Sequence, residues 1–106
     1  MMRTAVFVLF CTIIFMTALL TSCDRYSEGA AIFSREKCIE CHTIRGHGGA
    51  VGPNLTTVGN RRSRDYIIQQ IKNPSSHNPD SAMPSFKDRL SEQDINALAN
   101  YLSSLK

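Results

Sequence analysis

Apolar residues are spread along this chain in three patterns. Residues 4–22 form a run of nineteen positions without a charge. Ala5-Val6-Phe7-Val8-Leu9-Phe10 lies at its front, with Ile13-Ile14-Phe15 and Leu19-Leu20 behind. Further on, Tyr66, Ile67, Ile68 and Ile71 gather within one short segment. At the C-terminus Ile95, Leu98, Ala99, Leu102 and Leu105 recur at helical spacing, and Tyr101 extends the same face. After residue 26 no segment alternates with a period of two, so no strand is predicted and the fold class reads as all-α.

Polar residues set the expected boundaries. Ser27 is the predicted N-cap of a first helix running to about Lys37, with Gly29, Ala30, Ile32 and Phe33 on its apolar side. A second helix is expected from about Ser63, with Asp65 favourable in its first turn and Asn73-Pro74 stopping it. Ser91-Glu92-Gln93-Asp94 opens the third with a capping-box-like run, and Leu90 and Ile95 flank that cap as a hydrophobic staple. Between the first two helices lies Gly46-His47-Gly48-Gly49-Ala50-Val51-Gly52-Pro53-Asn54-Leu55. Its glycines at 46, 48, 49 and 52 rule out a helix and imply a loop.

The uncharged front segment is long enough to span a bilayer as a helix, and it also has the character of an export signal. Leu20-Thr21-Ser22-Cys23 resembles the lipobox of bacterial lipoprotein signal peptides, and it falls where the apolar run ends. That resemblance implies a signal peptide over residues 1–22, a diacylglycerol thioether on Cys23, a short lipidated tether over residues 23–26, and a domain over residues 27–106. Two acyl chains are what stable anchoring requires. Such a protein is exported and lipid-anchored to a bacterial membrane, facing the periplasm or the cell exterior. The other reading is an uncleaved anchor in which Cys23 has no special part. The three residues between Cys23 and Ser27 reach on the order of 10–15 Å when extended, which keeps the domain close to the bilayer.

Composition then narrows what the domain can be. The full chain has 106 residues and a formal charge of +3. Removing residues 1–22 leaves eleven Lys and Arg against nine Asp and Glu, or +2. One domain fits this length, and a balance so mildly basic excludes a nucleic-acid binder. An even count of four cysteines first suggests two disulfides in an exported chain. So short a chain needs a staple or a cofactor to be stable.

Cys38-Ile39-Glu40-Cys41-His42 supplies one. It is C-x-x-C-H, the attachment motif for c-type haem. Cysteines three apart on a helix-like turn face the same way and can add to the two vinyl groups on one porphyrin edge, while the adjacent imidazole reaches the iron. A thioredoxin-like pair would need a strand-helix alternation that the chain lacks, and neither His47 nor His77 completes a zinc site cleanly.

With Gly52-Pro53-Asn54-Leu55, then Met83-Pro84-Ser85-Phe86, then a closing amphipathic helix, the chain from about residue 27 resembles a class I, His/Met-ligated monohaem cytochrome c. The resemblance implies a small all-α fold of three main helices around one haem c. Cys38 and Cys41 would form the thioethers, and His42 would be the proximal ligand. The Pro53 carbonyl would accept from its other ring nitrogen, and Leu55 would pack on the haem face. Met83 would be the distal ligand. It is also the one methionine beyond residue 22, and Pro84 biases it away from helical backbone. A core-filling role for Met83 and ligation by His47 or His77 remain alternatives. The same resemblance pairs Gly29 with Tyr101 where the first and last helices cross, with Phe33 nearby.

A six-coordinate haem leaves no position for substrate. The expected function is therefore one-electron transfer between redox proteins or with a membrane oxidoreductase complex, and not catalysis. The alternatives are a haem sensor or gas-binding protein with a displaceable Met83, and a weak peroxidase. Arg61, Arg62 and Arg64 form the densest basic cluster and could pair with a haem propionate or stay solvated. Arg35, Lys37, Arg45, Lys72 and Lys87 could ring a haem edge and steer an acidic partner. Two propionates would offset most of the +2, so a strong docking field is not expected.

Overall fold

The computed structural model describes the backbone of residues 2–106 and the side chains of residues 3–11 and 26–106. Helix α1 spans Met2–Arg35. A single 3-10 turn at Cys38–Glu40 follows, then two two-residue strands, β1 Thr43–Ile44 and β2 His47–Gly48. Helices α2 Val58–Arg61 and α3 Arg64–Lys72 come next, and a 3-10 turn at Pro74–Ser76 closes that half. Helix α4, Glu92–Ser103, ends the chain.

The caps read from the sequence are present. The Ser63 side chain accepts from the Tyr66 N–H, and the Ser91 side chain accepts from the Asp94 N–H at 3.0 Å. Each satisfies one of the orphan donors of a first helical turn. Leu90 and Ile95 on either side of the Ser91 cap are both buried. Helix α1 stops because Lys37 adopts left-handed backbone, φ 61°, which turns the chain into the Cys38 turn.

Three features differ from the sequence expectation. Helix α1 does not start at Ser27 in the full chain. Residues 3–28 contain no Pro or Gly, so nothing breaks the backbone ladder between the apolar run and the domain. Residues 23–26 are accordingly helical here, whereas the tether reading concerns the cleaved chain; the Cys23 side chain lies outside the described residues. A small hairpin also interrupts the expected loop. Thr43 pairs with Gly48 and Ile44 with His47, and positive φ at both Arg45 and Gly46 makes the turn a primed one. Finally, α2 has only four residues, too few for periodicity to show it.

One core holds the domain together. Ile32 and Phe33 of α1 pack with Ile67 and Ile71 of α3, with Phe86 and Leu90 before the last helix, and with Ile95, Leu98, Ala99 and Leu102 of α4. Gly29 is buried where α1 meets α4. A Cβ at this position would collide with the Tyr101 Cβ and stand 2.5 Å from the Ala97 carbonyl oxygen. Only a glycine allows the two backbones to come this close. Phe33 and Tyr101 meet edge to face beside the crossing, with ring centroids 6.3 Å apart. Helix α3 is tied to α4 by Arg64, whose Nε and Nη2 donate to the Asn100 and Asn96 side-chain oxygens, each at 2.7 Å.

Among the described residues, no helix is long and apolar enough to cross a membrane. The Val6, Phe7, Val8, Leu9 and Phe10 side chains of α1 are exposed.

Candidate functional site

The attachment motif is wound on a tight turn. The Cys41 and His42 N–H groups both donate to the Cys38 carbonyl, at 3.2 and 3.0 Å. Cys38 is half-buried against the core, Cys41 is exposed, and both thiols are free. Burial pushes the Cys38 thiol above its ordinary pKa, which keeps the sulfur protonated near neutral pH. The glycine-rich segment folds back over this turn as a backbone clamp. The Gly49 N–H donates to the Ile39 carbonyl at 2.9 Å, and the Gly52 N–H to the Cys41 carbonyl at 2.7 Å. The Thr43 hydroxyl donates to the Gly49 carbonyl at 2.8 Å.

That clamp positions His42. Its Nδ1 lies 2.8 Å from the Pro53 carbonyl oxygen. A carbonyl can only accept, so Nδ1 carries the proton, and in the neutral ring Nε2 then holds the lone pair. Gly52 lies against the ring itself. A Cβ there would come within 2.7 Å of Nδ1, so a larger residue would push the imidazole off its carbonyl partner. Leu55 is half-buried on the edge of the core, and its N–H donates to the Thr43 carbonyl at 2.8 Å.

Met83 is also half-buried against the core. Its backbone N–H donates to the Ser81 hydroxyl at 3.3 Å. The following segment is fastened to α3 through Ser85 Oγ to the Lys72 carbonyl at 2.6 Å and the Phe86 N–H to the Ile71 carbonyl at 3.0 Å. The Met83 sulfur accepts from Gln70 Nε2 at 3.5 Å. Sequence reasoning missed Gln70, and its only signal was a one-turn spacing from Tyr66 on α3. The rival histidines are placed differently. His47 is exposed on β2. His77 has its ring stacked on Tyr66 and its Nδ1 on Gln70 Oε1 at 2.8 Å.

The cations are mostly committed within the chain. Arg61 donates to the Asn54 carbonyl at 2.6 Å, Arg62 sits over the Tyr66 ring, and Arg64 serves the helix clamp. Lys72 pairs with Glu92 at 2.7 Å, Lys37 with Glu40 at 3.8 Å, and Arg35 with both Glu36 and Asp94. These are mostly exposed pairs and add little stability, but they dilute any positive field around the site.

The donor set fits one kind of group. Two thiols share a turn, an imidazole has its Nδ1 already bonded, and a thioether sulfur lies half-buried. Half-buried Ile44, Leu55 and Ile68 pack against the same core as Cys38 and Met83. Two cysteines and a following histidine suit covalent haem c, whose macrocycle needs this apolar lining. Among the described residues no cluster of three His, Cys, Asp or Glu could hold a metal ion unaided.

Comparison with known proteins points the same way. A family model described as Cytochrome c matches residues 26–106. A protein named cytochrome c-553-like from Synechocystis is 39% identical over 78 residues, covering 74% of this chain and 67% of its own length. Cytochrome c oxidase subunit 2 of Alkalihalophilus pseudofirmus is 34% identical over 88 residues, covering 76% of this chain and 25% of its own. The Bacillus subtilis protein of the same name is 28% identical over 96 residues, covering 78% of this chain and 27% of its own. The chain thus spans about a quarter of the length of these oxidase subunits.

Proposed function

Because this chain belongs to the cytochrome c family, whose members carry electrons on a haem c joined through cysteine, we propose that it is a membrane-tethered one-electron carrier with His42 and Met83 as its axial ligands. Cys38 and Cys41 hold the haem covalently. When bound, it supplies a one-electron ferric/ferrous couple. His42 offers Nε2, and its Nδ1–H bond to Pro53 fixes the tautomer, holds the ring plane and raises ligand basicity. Met83 offers a thioether, which favours a higher reduction potential than a second imidazole would.

The observation that carries this reading is the state of the two donors. One imidazole has its Nδ1 bonded to a backbone carbonyl, which leaves Nε2 for a ligand bond, and one sulfur is half-buried and hydrogen-bonded. His77, the other candidate, has its Nδ1 directed at Gln70. A sensor would have to release Met83 readily, and Met83 is fastened through Gln70, Ser81 and the Ser85–Phe86 anchors to α3. Replacing Met83 with Ala is expected to abolish the charge-transfer absorption of a Met-bound ferric haem. Persistence of that band would assign the sixth position to another residue.

The tether rests on the lipobox resemblance at Cys23. Relatives named as oxidase subunits support a membrane oxidoreductase complex, or redox proteins near it, as partner. Outside the cytoplasm, a domain held close to the bilayer would exchange electrons with such neighbours and would not diffuse as a free shuttle. Intact mass of protein extracted from membranes should show a chain beginning at Cys23, bearing one haem and acyl groups. An unacylated chain retaining residues 1–22 would rule out the lipid tether and leave the uncleaved anchor.

A further inference from the structure

Around Met83 the structure shows an array that neither the motif nor the family comparison describes. Gln70 donates Nε2 to the Met83 sulfur at 3.5 Å and receives His77 Nδ1 on its Oε1 at 2.8 Å. The His77 ring stacks on Tyr66 with centroids 3.9 Å apart and planes 7° from parallel. Arg62 lies 4.5 Å from the Tyr66 centroid. Tyr66 and Gln70 are one turn apart on α3 and so share a face.

We propose that Gln70 tunes Met83 as an iron ligand and that the exposed His77 is the positioning residue that sets the Gln70 amide. The proposal rests on Met83 being the distal ligand. An amide can present either its oxygen or its NH2 group, and a thioether sulfur can only accept. With His77 Nδ1–H donating to Oε1, the oxygen is occupied and the NH2 group is turned to the sulfur. The Tyr66 stack holds the His77 ring at that angle, with the Arg62 guanidinium over Tyr66 completing the pile. A hydrogen bond into the sulfur lone pairs makes Met83 a poorer donor. The ferric state depends on that donation more than the ferrous state does, so the bond raises the reduction potential.

The experiment is an equilibrium redox titration of the haem-loaded protein and three variants, with the ferric Met-ligand band recorded for each. Gln70→Leu removes the donor. At the wild-type midpoint it is expected to shift the ferric-to-ferrous ratio roughly three- to tenfold toward ferric, tenfold being 59 mV for one electron. His77→Phe keeps an aromatic ring on Tyr66 but cannot hold the amide, so it should shift the ratio the same way by a smaller factor. The double variant should match Gln70→Leu alone, because His77 acts only through Gln70. Should Gln70→Leu fail to load haem, Gln70→Met, close to glutamine in length and without a donor, takes its place with the same expected shift.

A lowered melting temperature with an unchanged potential would reduce the array to a structural role and overturn the proposal. Additive shifts, or no shift in His77→Phe, would overturn the part played by His77. A wild-type protein lacking the Met-ligand band would overturn both this proposal and the ligand assignment beneath it. An intact band with an unshifted Gln70→Leu would overturn this proposal alone.

Discussion

Gly29→Leu is expected to remove much of the stability of the haem-loaded domain. The site leaves no room for a side chain. The first added carbon meets the Tyr101 Cβ and the Ala97 carbonyl, which belong to the backbone and stem of α4 and cannot swing away as a flexible side chain could. Relief requires α1 and α4 to separate, which opens the contact among Ile32, Phe33, Ala97, Leu98 and Tyr101. Overpacking commonly costs about 1–3 kcal/mol, and a clash against backbone belongs at the upper end. For a domain of this size that is a fall in melting temperature of more than about 10 °C. Gly29→Ala sharpens the test. Alanine is the better helix former by about 1 kcal/mol, yet it carries the colliding carbon, so it too should destabilise. An unchanged melting temperature in either variant would remove the close crossing from the account.

The second large effect concerns the haem itself. A Cys38→Ala, Cys41→Ala chain cannot attach it and is expected to lose cooperative folding. The polypeptide core is small. Among the described residues its buried apolar side chains form one cluster, centred on the packing of α1, α3 and α4, and Ile32 and Ile95 are the largest side chains in it that are almost fully enclosed. Cys38, Ile44, Leu55, Ile68 and Met83 are only half-buried on its edge. A domain of about 80 residues is marginal without an added staple, and a covalent haem would add apolar surface that such half-buried side chains could cover. Thermal unfolding followed by far-ultraviolet circular dichroism should give a broad, shallow change. A sharp two-state transition with native helix content would show that the chain folds without its cofactor.

Much of this was legible in the residues because each signal was local or had a single physical solution. Ser63 and Ser91 cap α3 and α4 because a short hydroxyl before an apolar helical run can satisfy the first turn. Gly29 sits in a helix at a cost, which calls for a close neighbour, and Tyr101 is that neighbour. The C-x-x-C-H turn needs no alignment to be read. The features that escaped depend on contacts far apart in sequence. The hairpin turn uses Arg45 in left-handed backbone where Asn or Gly would have announced it. Gln70 is a polar residue on a helix between two buried isoleucines, and only the approach of Met83 and His77 gives it a role. The start of α1 was misplaced because a serine can cap a helix only where the ladder is broken, and nothing breaks it before Ser27. The four cysteines show the same limit in reverse. Their even count suggests two disulfides, but one pair suits haem, and Cys11 and Cys23 lie in and just after the uncharged apolar run.

The central claim is that this domain carries electrons on an iron closed by His42 and Met83. Carbon monoxide added to the reduced protein tests it most directly, with Met83→Ala as the reference in which the sixth position is open. The account predicts that the wild-type spectrum stays unchanged while the Met83→Ala spectrum shifts at once. A ready shift in the wild type would contradict it and identify the protein as a ligand-binding sensor.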